Sequence, residues 1–143
     1  MATSSEMARI VGLDFGTRRC GVAISDPMQI IASTHEVIEI GSEKELLRRI
    51  REICDEVEAE RIVIGLPLNM DGSEGPSALA SRAFAEKLVN KTGLPVETWD
   101  ERLTTKTAEA ALIEAGTRRE KRKGLVDKLA AQIMLQHYLD SKA

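Results

Sequence analysis

Aromatic residues are scarce in this chain of 143 residues: one Trp, one Tyr and two Phe. That scarcity argues against gripping an extended single strand through many stacking platforms. Cysteine is limited to Cys20 and Cys54, both in apolar segments and without a CxxC companion. They read as small core residues of a reducing compartment, not as a disulfide framework. His35 and His137 stand apart from each other, which leaves zinc chemistry little support. The longest apolar stretches, such as "IVIGLPL", fall far short of the ~20 residues that cross a bilayer. The opening "MATSSEMAR" lacks a signal-like apolar core. The expectation is a cytoplasmic protein with no membrane partner.

The length suits one domain over residues 1–143, with residues 1–7 expected to be mobile. A single core can be buried at that size without staples. Net charge is modest, at −3, but unevenly spread. The run "RREKRK" (Arg118 to Lys123) carries a net +4, so the remainder carries −7. A concentrated basic patch on an acidic body suggests local engagement of a polyanion. A solvated loop is the plainer explanation of such a run.

"ARIVGLDFG" and "CGVAISD" are expected to form two strands joined by the tight turn "GTRR". "IASTHEVIEI" is β-branched enough for a third strand. Ser42 and Glu45 form a capping box ahead of "EKELLRRIREICDEVE", a helix with Leu46, Leu47, Ile50, Ile53, Cys54 and Val57 on one face. "RIVIGL" is a short apolar run suited to an interior parallel strand. After the loop "PLNMDGSEGP", Pro76 starts a helix that Gly93 closes. "LPVETW" is a fifth strand, and "TTKTAEAALIEA" a helix ending at Gly116. The basic run is its outgoing loop, and "LVDKLAAQIMLQHYL" is the last helix. The order β-β-β-α-β-α-β-α-α implies a mixed five-stranded α/β sheet with helices on both faces.

Asp14 lies within the first of these strands, among Ile10, Val11, Leu13 and Phe15. An uncompensated buried carboxylate costs about 3–5 kcal/mol. Alternation puts Ile10, Gly12 and Asp14 on one face, and Gly21, Ala23 and Ser25 share that parity in the next strand. Small residues there leave open space over the sheet, although strand glycines also permit close helix packing. A second acid lies in "WDERLTT", where Asp100 and Glu101 point to opposite faces and parity does not choose between them. The third is Asp127, early in the last helix, with Ala130, Ala131, Met134 and Leu135 at +3, +4, +7 and +8 on the face the helix buries. The second and third acids each have a simple alternative explanation as a surface or helix-start charge, whereas helix packing explains the glycines beside Asp14 but not the acid itself. Together the three acids fit carboxylates converging on one sheet edge, which stay ionised beside a strong counter-charge. Mg²⁺ or Mn²⁺ supplies it, and a two-metal carboxylate site supports phosphoryl displacement by water. The basic run would then grip a phosphate backbone.

Four blocks carry a resemblance: "GLDFGTRRCGVAISD", "IVIGLPLNMDGSEG", "DERLTT" and "VDKLAAQIMLQHYL". In this order, and across nearly the whole chain, they resemble the signature blocks of the YqgF/RuvX family. Members of that family are described as Holliday-junction-resolvase-like nucleases and are implicated in maturing the 5′ end of pre-16S ribosomal RNA. The resemblance implies a ribonuclease-H-like fold and a site carried by Asp14, Glu101 and Asp127, with Asp100 as an alternative to Glu101. The mechanism expected of such a site has Asp14 shared between two metal ions, with Glu101 and Asp127 each completing the coordination of one. Arg18, Asn69 and Arg102 match motif positions. Arg18 and Arg102 are expected at phosphates, Asn69 along the cleft, and Arg118, Arg119, Lys121, Arg122 and Lys123 on nucleic acid.

The implied substrate is structured precursor rRNA, naked or within a pre-ribosomal particle. Branched DNA, a four-way junction, is the alternative, and it favours a dimer, for which the sequence shows no interface. Two further readings stand behind these. "DFGT" also resembles the first phosphate loop of actin- and sugar-kinase-like ATPases, but those enzymes clamp nucleotide between two such domains. A non-catalytic nucleic-acid-binding module would keep the fold without the chemistry.

Overall fold

The computed structural model describes residues 8–100 and 119–142, with the side chains of the last helix from residue 129 onward. Strand β1 (Arg9–Phe15) turns back into β2 (Arg19–Ser25), and β2 into β3 (Ala32–Glu39). Helix α1 (Glu43–Val57) leads to β4 (Ala59–Leu66), and α2 (Pro76–Thr92) leads to β5 (Val96–Asp100). Helix α3 (Arg119–Lys142) closes the described chain. The sheet order is β3-β2-β1-β4-β5. The first three strands pair antiparallel, while β1, β4 and β5 run parallel. Three strands in a meander followed by β-α alternation are what the sequence predicts. The helix expected over 104–115 and the mobile start expected over 1–7 lie outside the described residues.

Local chemistry sets the helix ends. Ser42 Oγ accepts the Glu45 N–H at 3.1 Å, the forward half of the expected capping box. Glu45 Oε2 lies back over Gly41, where a Cβ would stand 3.2 Å from it. Pro76 occupies the first turn of α2, where its missing N–H costs nothing. Gly93 ends that helix in the left-handed region at φ 73°. Helix α1 ends on Glu58, a non-glycine residue at φ 56°.

Two cores flank the sheet. On one face, Leu46, Ile50, Ile53 and Cys54 of α1 and Phe84 and Leu88 of α2 pack against Val11, Leu13, Cys20, Val22, Ile62 and Ile64. Each large side chain buried there contributes about 1.5–3 kcal/mol. On the other face, Ala131, Met134, Leu135, Tyr138 and Leu139 of α3 cover Ile10, Ala23, Ala32 and Val63.

Strand β3 serves both faces because its register shifts. Val22 pairs with Glu36, but Ala23 pairs with Thr34, leaving His35 as the extra residue of a bulge. Glu36 therefore meets Arg49 of α1 at 2.7 Å, while Thr34 donates to Gln132 of α3 at 3.0 Å. Gln132 and Gln136 also bond backbone along this strand. Gln136 accepts the Ala32 N–H at 2.8 Å and donates to the Ile30 carbonyl at 2.9 Å, and Gln132 donates to the Ala32 carbonyl at 3.2 Å. Such side chains occupy main-chain groups on an edge strand that would otherwise invite another strand.

Two expectations change. The basic run is not a loop: α3 begins at Arg119, so Arg119, Lys121, Arg122 and Lys123 are helical. Arg, Glu and Lys are strong helix formers, and one interior glycine, Gly124, costs only about 1 kcal/mol. Nor does Gly12 leave open space. A Cβ at Gly12 would stand 2.9 Å from the Leu135 Cβ. The glycine is what lets α3 lie down on β1.

Gly12→Ala is therefore expected to cost about 1–3 kcal/mol by pushing α3 off the sheet. Leu135→Ala in that background should recover part of the loss, read as a positive coupling in a denaturation double-mutant cycle. Additive losses would contradict the contact. A second test concerns the β2–β3 turn. There the Asp26 carboxylate accepts the N–H groups of Ile30 at 2.7 Å, Ile31 at 2.8 Å and Met28 at 3.2 Å. These bonds, that from Ile31 foremost, hold its pKa below the ordinary 3.8. The stability it contributes is thus complete above that value and lost as pH falls through the lowered pKa. Asp26→Ala should cost about 0.5–1 kcal/mol near neutral pH and show a smaller further loss on acidification than the parent in thermal melts.

Candidate functional site

Asp14 is the penultimate residue of β1 and is half-buried, at the rim of the core and not within it. Its partner across the antiparallel pair is Gly21. On the other side, Leu13 pairs with Ile64, so the residue level with Asp14 in β4 is Gly65. Two glycines thus flank the acid, and neither neighbouring strand sets a side chain beside its carboxylate. Farther along the row stand Val37, opposite Gly21, and Trp99, opposite Gly65. Gly65 sits within the apolar run "RIVIGL", where nothing in the sequence separates it from a packing glycine. Only the register reveals its place.

The parallel strands β1, β4 and β5 end together at Phe15, Leu66 and Asp100. Open α/β sheets bind their ligands at this carboxyl edge. Beyond Phe15 the chain reverses sharply. The Gly16 N–H donates to the Arg19 carbonyl at 2.9 Å, and a Cβ on Gly16 would stand 2.9 Å from that same oxygen. Arg18 is exposed at the tip of this turn, and its carbonyl accepts the Ile40 N–H at 2.8 Å.

Asp100 pairs with Leu66, one step past the row that holds Gly65 and Trp99. Strand alternation therefore sends it to the face opposite Asp14. Helix α3 runs antiparallel to β1. Tyr138 meets Arg61, the partner of Ile10, while Leu135 lies over Gly12. Eight residues back from Leu135, about 12 Å along the axis, position 127 comes to the carboxyl edge where Asp14 lies. Position 127 is the ninth residue of α3. The favourable first-turn charge, which would explain an acid there without chemistry, does not apply. Glu101, Arg102 and Arg118 lie outside the described residues, as do the side chains of Asp127 and of Arg119, Lys121, Arg122 and Lys123.

Asn69 is occupied within its own loop. Its Nδ2 donates to Ser73 Oγ at 3.0 Å, its N–H donates to the Ser73 carbonyl, and its amide lies against Gly75. It fixes the loop that delivers Pro76 to α2 and does not line the cleft beside Asp14. That cleft, of about 570 Å³, opens between the β1–β2 turn and the first turns of α1 and α2. Asp14, Gly16 and Thr17 form one wall, Glu43 and Leu46 another, and Pro76, Ser77 and Ala80 a third. Its existence could not be read from the sequence, because it depends on how two helix starts flank one turn.

The donor chemistry at this edge is oxygen. Cys20 and Cys54 are buried in the core on the α1–α2 face, and neither is in a disulfide. Burial pushes the Cys20 thiol up, with the Asp14 charge adding to it, and burial pushes Cys54 up to about 12. Neither is a nucleophile near neutral pH. His35 sits in the β3 bulge beside Glu36. No group of three His, Cys, Asp or Glu gathers among the described residues. No described helix is long and apolar enough to cross a membrane.

The family model described as "RuvX: Holliday junction resolvase" matches residues 8–141. A Syntrophomonas wolfei protein named "Putative pre-16S rRNA nuclease" is 48% identical over 132 residues, 92% of this chain and 94% of its own. A Geobacillus protein of the same name is 50% identical over 136 residues, 94% of this chain and 99% of its own. Among solved structures, T. thermophilus RuvC in complex with Holliday junction substrate aligns with a TM-score of 0.60 and 17% identity, covering 94% and 95% of the two chains. That likeness establishes the fold, RuvC-like α/β and consistent with the ribonuclease-H-like expectation.

Proposed function

The chain belongs to the RuvX family, and from that premise we propose that it is a metal-dependent nuclease that matures the 5′ end of pre-16S rRNA. The observation that carries the reading is the half-identity, over nearly its full length, to proteins named for that activity. The geometry supports it independently. Asp14 stands at the carboxyl edge between two glycines, and α3 runs with position 127 toward the same edge.

Asp14, Glu101 and Asp127 would hold the metal. Their oxygen-only chemistry suits Mg²⁺ or Mn²⁺, with no imidazole or accessible thiolate at this edge among the described residues. The chemistry such a site would supply is a lowered pKa for an attacking water and stabilisation of the leaving oxygen. The chain's own residues do the rest. Gly21 and Gly65 keep the flanks of Asp14 clear, so a phosphate can approach. Gly16 permits the tight turn that presents Arg18, which with Arg102 contacts the phosphate backbone. Parity favours Glu101 over Asp100, because Asp100 alternates away from Asp14. Arg118, Arg119, Lys121, Arg122 and Lys123, at and before the start of α3, steer and hold the polyanion. These events belong in the cytoplasm, on precursor RNA free or within a pre-ribosomal particle. A four-way DNA junction is the second reading, supported by the family description and by the RuvC-like fold.

Asp14→Asn should abolish metal-dependent cleavage, to under about one part in a hundred, while the melting temperature holds or rises because a carboxylate facing other carboxylates is lost. Cleavage persisting in the folded variant would overturn the site. Neutralising the five basic residues from Arg118 to Lys123 should weaken RNA binding and flatten its dependence on salt, by about 0.7–0.9 in log–log slope per lost phosphate contact. An unchanged slope in filter binding would return that segment to the role of a solvated helix start.

A further inference from the structure

The cleft beside Asp14 opens toward the first turns of α1 and α2, and Asp14 is the one lining residue that the proposed metal chemistry and phosphate contacts use. Its composition is unlike that of a phosphate site. Among the described residues, its lining includes two carboxylates, Asp14 and Glu43, and no cationic side chain, whereas Phe15, Ile40, Leu46 and Pro67 make it largely apolar. The Glu43 carboxylate at its rim is paired with Lys87 of α2. Phosphate is disfavoured in such a space, and a flat neutral ring is favoured. The floor is already aromatic: Phe15 stacks on Phe84 with ring centroids 4.3 Å apart and planes 4° from parallel. The volume, about 570 Å³, is that of an ordinary small-ligand site, roughly 300–1,000 Å³.

We propose that this cleft is a nucleobase subsite, taking one unstacked base of the substrate strand next to the phosphate held at Asp14. The proposal rests on the nuclease reading. Continuity argues for it, because Asp14 borders both the cleft and the metal site, so a strand whose phosphate reaches Asp14 passes the cleft mouth. It also accommodates the scarcity of aromatic residues: one pocket grips one base, and the backbone contacts do the rest. The subsite would select for strands that can release a base from its stack, such as a tail or a junction point, over uninterrupted duplex.

The test uses a hairpin RNA with a single-stranded tail, carrying 2-aminopurine at one position at a time across the cleavage site. It is bound to the Asp14→Asn protein so that it stays intact. Anisotropy of an end label reports binding, and 2-aminopurine emission reports unstacking. The expected result is an emission rise of several-fold at one position only. Ala80→Phe, at an exposed lining residue that should leave the melting temperature unchanged, should erase that rise and weaken binding about tenfold. An abasic nucleotide at the same position should weaken binding by a similar factor without Ala80→Phe, and hardly at all with it. RNA bound with no position-specific rise, or a rise that survives Ala80→Phe, would overturn the subsite and leave the nuclease reading standing. No RNA binding at all would overturn both. A response to free 2-aminopurine riboside with none in the strand would also overturn it, in favour of a small soluble ligand.

Discussion

The approach of α3 to β1, with Leu135 standing where a side chain on Gly12 would be, sets the geometry on which the rest depends. Without it the helix would ride higher and its axis would shift against the sheet. With it, Ala131, Met134, Leu135 and Tyr138 form a continuous core with Ile10, Ala23 and Val63. The direction of α3 is fixed at its other end by Tyr138 against Arg61 and Trp99. Gln132 and Gln136, bonding the backbone from Ile30 to Ala32, hold it sideways. A helix pinned at three places can carry a charged position to the sheet edge with little freedom. For the proposed site that matters, because carboxylates that repel one another would need rigid elements to hold them together for a cation.

The second constraint is the row of residues level with Asp14. An acid near the end of a strand is ordinary, but one flanked on both sides by glycine is unusually accessible from within its own sheet. Strand glycines cost stability, and here two are spent at the same level. The turn that follows is equally committed, since the Arg19 carbonyl occupies the space a side chain on Gly16 would need. Stability is therefore concentrated away from this edge, in the core under α1 and α2 and in the one under α3.

Much of the architecture was legible because each element advertises itself locally. Alternating Val and Ile mark the strands, Ser42 and Pro76 mark helix starts, and Gly93 marks a helix end. The basic run misled because charge density suggested a loop, whereas Arg, Lys and Glu prefer helix when nothing interrupts them. The β3 bulge was not legible at all. His35 looks like any residue of a β-branched run, and only pairing against β2 shows that Thr34 and Glu36 face opposite ways. The candidate site divides in the same manner. Asp14 announces itself as a charge among apolar neighbours. Gly65, the parity of Asp100 and the cleft beside Phe15 emerge only once strands are placed side by side. Asn69 shows the reverse: its motif position suggested a cleft residue, yet its amide is spent on Ser73 in the loop.

The most direct measurement compares cleavage rates of the wild-type protein on two substrates under the same Mg²⁺ concentration. One is a structured RNA carrying the 5′ precursor end of 16S rRNA, and the other is a four-way DNA junction. Cutting of the RNA at a defined position, faster than that of the junction and stopped by chelator, is the expected result. Preferential cutting of the junction, or RNA cutting that survives removal of the metal, would contradict the proposed function.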